Sequence, residues 1–298
     1  MTEPMKRTTI AAWLIMLAVS LLPNIIGLEV FGQALPWLWI KSGLLVALLA
    51  AGFVLPWLKP LRPFVFILLL ILAANYLFTS LMGRAAWWPA RLSADAPFAG
   101  QMLGIQLQRL AVTLVVLAAL LLMGYRRRQF FLVRGQLDAP IAPVRWLGYS
   151  KPEPWTRFGV QWAIFITLGT LVFLILGGRP SPASFLAVLP LLPMVLLLAT
   201  MNAFSEELTY RASLLGVLDG VIQPRQALFL TAVFFGLSHY YGVPYGIIGV
   251  VMSTFLGWML GKAMLETRGF FWGWFIHFWQ DVAIFSFMAI GAVTAGGL

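Results

Sequence analysis

The chain has 298 residues, of which 61% are hydrophobic and 10% charged, with a mean hydropathy of +0.91. Soluble domains carry about 25% charged residues, so a soluble fold is excluded, and the recurrent apolar runs of about 20 residues indicate a polytopic α-helical membrane protein. The excess of 20 Lys+Arg over 10 Asp+Glu sits mainly at helix ends and in one loop, which points to membrane topology rather than a nucleic-acid partner, and the lack of cysteine excludes disulfides and thiolate chemistry.

The first expected span, Thr8 to Leu28, follows Lys6 and Arg7 and is interrupted by Pro23-Asn24. A cleavable signal peptide is the rival reading, but no small-residue cleavage site follows and more spans come at once. Leu38 to Leu58 and Pro63 to Met82 are the second and third spans, joined by a tight turn flanked by Lys59 and Arg62. The polar connection from Arg84 to Gln101 holds Trp87-Trp88, a pair suited to the headgroup region. Leu103 to Met123 is the fourth span, and Gln106, Gln108 and Arg109 near its start read as side chains snorkelling to the interface.

Tyr125 to Arg157 is the longest polar segment and carries Arg126, Arg127, Arg128, Arg134, Arg145, Lys151 and Arg157. That density marks it as cytoplasmic, and counting back four spans puts Lys59, Arg62, Lys6, Arg7 and the N-terminus on the same side. Its prolines predict an irregular loop with short interfacial helices. Val160 to Leu176 follows as a span, then a long apolar segment from Phe185 to Leu218, kinked at Pro190 and Pro193. After a turn over Asp219 to Gln223 come Ala227 to Tyr241, Tyr245 to Met264, and Phe270 to Val293. The expectation is an all-α transmembrane bundle of eight or nine spans without internal repeat. It divides into a four-span region at 1–124, a basic loop at 125–159 and a site-bearing core at 160–298, in a bacterial cytoplasmic membrane.

Charges inside this apolar sequence are the functional signal. An ionised group at the centre of a bilayer costs about 2.5–3.5 kcal/mol on insertion scales, so such groups are expected to be paired or functional. Glu206, Glu207 and Arg211 lie in AFSEELTYRASLLG. On a helix Glu207 and Arg211 are four apart and pair, while Glu206 points about 100° away and is left free of that pair. The two histidines of the chain, His239 and His277, both fall in late apolar spans, and His277 stands four residues before Asp281, where a carboxylate can orient the imidazole. At 1.5 Å per residue, Glu206 and His239 lie roughly 20 Å from the same cytoplasmic turn, and His277 and Asp281 about 14 and 20 Å from the same surface. Four ionisable groups from three helices at one depth imply a single site.

A carboxylate with two imidazoles suits general-base activation of water, with the histidines on the oxyanion or the leaving amine. The same donors suit zinc, with Glu206, His239, His277 and Asp281 as ligands. The HExxH spacing is absent, so a metal site would have to be assembled from separate helices.

Three motifs occur in order: EE-x3-R from Glu206 to Arg211, F-x3-H from Phe235 to His239, and H-x3-D from His277 to Asp281. This pattern resembles the CPBP family of intramembrane proteases, also called the Abi or type II CAAX endopeptidase family, from about Gly124 onward, including FLVRGQLDAP; the first four spans carry no recognised motif. The resemblance implies a glutamate-dependent endopeptidase acting on a membrane-associated or lipidated protein or peptide. It implies Glu206 as the base, Glu207, Arg211 and Phe235 in support, His239 and His277 around the water and oxyanion, and no metal cofactor. Asp281 departs from the prenyl-protein proteases, which resemble one another in having Asn there. An ionised Asp cannot donate to an oxyanion, so Asp281 is either protonated or acts through His277, and prenylated substrates are in doubt. Two readings of other classes stand beside this one: a non-catalytic bacteriocin-immunity or scaffold protein, and a proton-coupled transporter using the same residues as a relay.

Overall fold

In the computed structural model residues 3–294 are described, and among them every long element is helical. The reason is the solvent: in hydrocarbon a backbone must satisfy its own N–H and C=O groups, and uninterrupted Leu, Val, Ala and Phe runs do this as helices. Met1 and Thr2, at the start of the first expected region, and residues 295–298, at the end of the last, lie outside the described residues.

The N-terminal region comprises α1 (Glu3–Val19), α2 (Leu22–Ile25), α3 (Trp37–Val54), α4 (Arg62–Asn75) and α5 (Phe98–Leu122). The core comprises α6 (Trp155–Gly178), α7 (Pro182–Val188), α8 (Leu192–Glu207), α9 (Ser213–Leu218), α10 (Pro224–Leu237), α11 (Ile247–Thr267) and α12 (Phe271–Thr294). Prolines stand in the first turn of α2, α4, α7, α8 and α10, where their missing N–H costs nothing and their fixed φ favours the helix. The expected kink near Pro190 and Pro193 is a 3-10 turn over Leu189–Leu191.

Seven helical segments are long and apolar enough to cross a membrane, or eight if α1 and α2, bent by 46° at their break, form one span. The chain is therefore an integral multi-pass membrane protein. The higher expected number counts α10, whose 14 residues reach about 21 Å, short of the roughly 30 Å of a bilayer's hydrocarbon. This shortness moves His239, expected inside a span, into the turn beyond the end of α10.

The segment 125–157 is irregular up to the start of α6, as its prolines predict, but it lacks the expected interfacial helices. It holds one short 3-10 turn, Arg145–Leu147, and no longer interfacial helix. Its backbone is tied to the core: the Gln136 amide donates to Thr267 O at 2.8 Å, the Phe270 amide to Val133 O at 2.8 Å, and the Trp272 indole to Leu137 O at 2.9 Å. Phe130 and Phe131 are fully buried and pack with α4 and α9. Interleaved apolar residues thus pin the loop, while its arginines stay exposed.

Helix α12 packs on α6, α8 and α11, α5 lies against α8, and α10 and α11 form the most intimate pair. That pair depends on Gly236: a Cβ there would meet Thr254 Oγ1 at 1.9 Å and Val250 O at 2.7 Å. Small residues at such crossings let helix backbones approach in lipid. Gly236→Leu is expected to cost about 3 kcal/mol or more through overpacking and to lower the melting temperature in detergent. Gly169→Leu, on a face of α6 with nothing within 4 Å, is expected to leave it unchanged.

Candidate active site

Helix α8 ends in the acidic pair and continues through a π-helical turn, Leu208–Ala212, into α9. Wide turns of this kind recur at functional sites. Glu207 and Arg211 flank and occupy the turn, and both side chains are fully buried. They pair directly, and the Arg211 guanidinium lies 4.6 Å from the centre of the Phe235 ring on α10. The same oxygen of Glu207, Oε1, lies 2.9 Å from His277 Nδ1 on α12. A carboxylate oxygen accepts, so Nδ1 donates and the ring is fixed by Glu207.

The other nitrogen, His277 Nε2, lies 3.7 Å from Glu206 Oε2 and 3.6 Å from Asp281 Oδ2. The sequence assigns Asp281 to orienting His277. In the structure Glu207 does so, because its oxygen reaches hydrogen-bonding distance and that of Asp281 does not. Asp281 Oδ2 instead accepts a 3.0 Å hydrogen bond from Asn202 Nδ2. Asn202 precedes Glu206 by one helical turn, so both lie on one face of α8.

Arg109 completes the arrangement and overturns the snorkelling expectation. With α5 beginning at Phe98 rather than Leu103, Arg109 falls near the middle of a 25-residue helix. Its Nη1 donates to Glu206 Oε1 at 2.8 Å and also to Asn202 Oδ1. The contacts close on themselves: Glu206, Arg109, Asn202, Asp281, His277 and back to Glu206. Arg109 and Asn202 were not legible as site residues. The signal for Asn202 was its four-residue spacing from Glu206, and that for Arg109 a lone cation within an apolar span.

Glu206 and His239 line a cavity of about 720 Å³, within the usual range for ligand pockets. Arg109, Phe235 and Ser238 share its wall. The side chain of Glu206 is 14% exposed, against 0% for Glu207 and 5% for Asp281. His239 Nδ1 is 2.8 Å from the Phe235 carbonyl, an oxygen that only accepts, so Nδ1 carries the hydrogen and Nε2 is left for chemistry. The Phe235 ring bridges the histidines, its centre 4.5 Å from that of His239 and 6.0 Å from that of His277. The structure therefore brings Glu206, His277 and Asp281 into contact, with His239 across the same cavity. His277 and Asp281, nearly buried, lie behind Glu206 rather than on the cavity wall. Among the described residues no group of three His, Asp or Glu side chains is arranged around a common point for a metal ion.

The fold and site define a class: a membrane-embedded helix bundle that encloses a carboxylate–imidazole cluster beside a polar cavity. Residues 187–283 match the family model described as type II CAAX prenyl endopeptidase Rce1-like. No curated protein and no solved structure gives a match. Over these residues the chain is thus similar to the family that its three motifs resemble, one of CAAX-type membrane proteases. The match spans all the core helices that bear the acids and histidines, and it excludes Arg109.

Removing one partner of a buried ion pair costs about 3–5 kcal/mol, because the other charge is stranded. Arg211→Ala is expected to lower the melting temperature and the folded yield as well as any activity. Unchanged stability with loss of activity alone would instead make Arg211 a substrate-contacting residue.

Proposed function

We propose that this chain is an intramembrane endopeptidase that hydrolyses a peptide bond of a membrane-associated or lipidated protein or peptide, with Glu206 activating the water. The observation that carries the reading is that Glu206 is the one carboxylate among the residues lining the cavity, while its acidic neighbours are buried behind it. Its two oxygens are in different situations. Oε1 is held by Arg109 at 2.8 Å, and Oε2, 3.7 Å from His277 Nε2, is left to take a proton.

A water hydrogen-bonded to Oε2 gives that oxygen its proton as its own oxygen forms a bond to the scissile carbonyl carbon. The carbonyl π electrons move onto oxygen, and the resulting oxyanion is met at the cavity wall by the Arg109 guanidinium, while Nε2 of the neutral His239 is left to accept a hydrogen bond from the water. As the C–N bond breaks, the proton held by Glu206 passes to the leaving amine, which restores the carboxylate. Asn202 and Asp281 position Arg109 and the imidazole side of the cluster. Glu207 and Arg211 set the orientation of His277 and the packing of the α8–α9 junction. Neither that mechanism nor the site commits the substrate to a prenyl group. The basic loop supports a cytoplasmic placement of the N-terminus in a bacterial cytoplasmic membrane.

The test compares proteoliposomes of the parent chain with Glu206→Gln, both loaded with membrane protein from cells lacking this chain, by mass spectrometry of newly formed peptide termini. The parent is expected to generate a reproducible set of termini, and loss of the base to reduce them about 10²–10⁴-fold. Proton flux without cleavage would favour the transporter reading, and neither activity the scaffold reading. Chelator-treated protein is expected to keep its cleavage activity. Activity lost on chelation and restored by zinc would make Glu206 a ligand or a metal-assisted base.

A further inference from the structure

The charges on the cavity wall do not balance. Among its lining residues the ionised side chains are Glu206, Arg109 and Lys41. Arg109 is committed to Glu206, which leaves Lys41 on α3 as an uncancelled cation, and its residue is only 6% exposed. Its ammonium donates to the Ser20 carbonyl at 2.6 Å and to Asn24 Oδ1 at 2.5 Å. Both acceptors are neutral, and no carboxylate pairs with Lys41 among the described residues. Ser20 lies directly past the end of α1, so the partial negative charge of that terminus, about half an electron, offsets part of the ammonium charge. A net positive charge and a third N–H remain in a setting where a lone charge costs several kcal/mol.

Packing alone does not account for a lysine here. A neutral donor would close the same break between α1 and α2 through the same two oxygens, without a buried charge. The feature specific to Lys41 is positive charge on the wall of the cavity that also holds Glu206.

We propose that Lys41 is an anion subsite for the cavity's occupant, taking a carboxylate of the peptide whose backbone lies against Glu206. This rests on the peptidase reading and adds a substrate class to it: peptides that carry an acidic group near the bond to be cut. An anionic oxygen completes the ammonium's third hydrogen bond and cancels its charge, and it does so without displacing Ser20 or Asn24. The selectivity is for charge, because an ammonium is a compact point charge rather than a planar fork.

The test is binding to the purified full chain in a neutral detergent, in the Glu206→Gln background so that no probe is cleaved. The probes are N-acetyl-Leu-Leu-Ala with a free carboxylate, the same peptide amidated, N-acetyl-Leu-Asp-Ala amide, inorganic phosphate, and phosphatidylglycerol in mixed micelles. At least one carboxylate peptide is expected to bind about tenfold or more tightly than the neutral amide, the gain of a hydrogen bond between charged partners. Lys41→Gln, which keeps a donor for Ser20, is expected to erase that preference, and Lys41→Arg to keep most of it. A melting curve of each ligand-free variant separates loss of the subsite from loss of the fold.

Equal binding of acid and amide, or a preference that survives Lys41→Gln, overturns the proposal. So does Lys41-dependent binding of phosphatidylglycerol or phosphate with none of the peptides, which assigns the charge to a phosphate anion. Because the binding assay uses a variant without the base, its outcome is independent of whether the parent cleaves anything. A Lys41-dependent preference in a chain that produces no new termini would keep the subsite and reject the peptidase.

Discussion

One fully buried carboxylate, Glu207, holds the core in register. It takes hydrogen bonds from Arg211 on its own helix segment and from His277 on α12, and Arg211 in turn stacks on Phe235 of α10. Three helices are thereby tied through one anion. Burying two charges costs several kcal/mol per ion before their attraction is counted, and the attraction compensates only when the geometry is good. The bundle therefore has one arrangement in which these charges are matched, and every displaced arrangement leaves one of them stranded. The π-helical turn between α8 and α9 and the glycine contact between α10 and α11 are the backbone adjustments that let this cluster form.

What Glu207 fixes, Glu206 exploits. The adjacent residue points elsewhere around the helix and reaches the cavity, where it meets a cation from a different part of the chain. Arg109 sits on α5, outside the segment that carries the family match. The N-terminal helices are therefore more than an anchor, since they supply a direct partner of the candidate base and much of the cavity wall. Lys41, from α3, extends the same pattern. The acids and histidines come from the core, and the two cations of the cavity come from the N-terminal region.

Much of this was legible because membrane sequence is sparse in polar residues. Apolar runs located the helices, and the rarity of charge made Glu206, Glu207, Arg211, His277 and Asp281 stand out. The i,i+4 rule found the Glu207–Arg211 pair and the 3.6 Å approach of Asp281 to His277 Nε2, but it could not show the closer hydrogen bond that Glu207, on another helix, makes with the other ring nitrogen. Depth counting put His239 level with Glu206, and the two share one cavity, but it did not reveal that α10 stops two residues before His239. Arg109 was lost to a five-residue error in where α5 begins, which moved it from mid-helix to the interface. Asn202 carries no charge and offers only its four-residue spacing from Glu206; that it bridges Arg109 and Asp281 shows only in contacts across helices. The loop from 125 to 157 looked polar by composition, and its docking depends on a few buried aromatic residues and backbone hydrogen bonds that composition averages away.

The central claim is that Glu206 directs a water molecule onto a peptide bond within the bundle. Reconstituted parent chain and Glu206→Gln, incubated with membrane protein in ¹⁸O-labelled water, test it directly by mass spectrometry of the newly formed C-termini. The account predicts one ¹⁸O atom in each new terminal carboxylate with the parent, none of these termini with the variant, and, in a single turnover, no label in the Glu206 carboxylate. Label in Glu206 itself would mean covalent attack by the carboxylate, and new labelled termini made equally by both proteins would remove Glu206 from the chemistry.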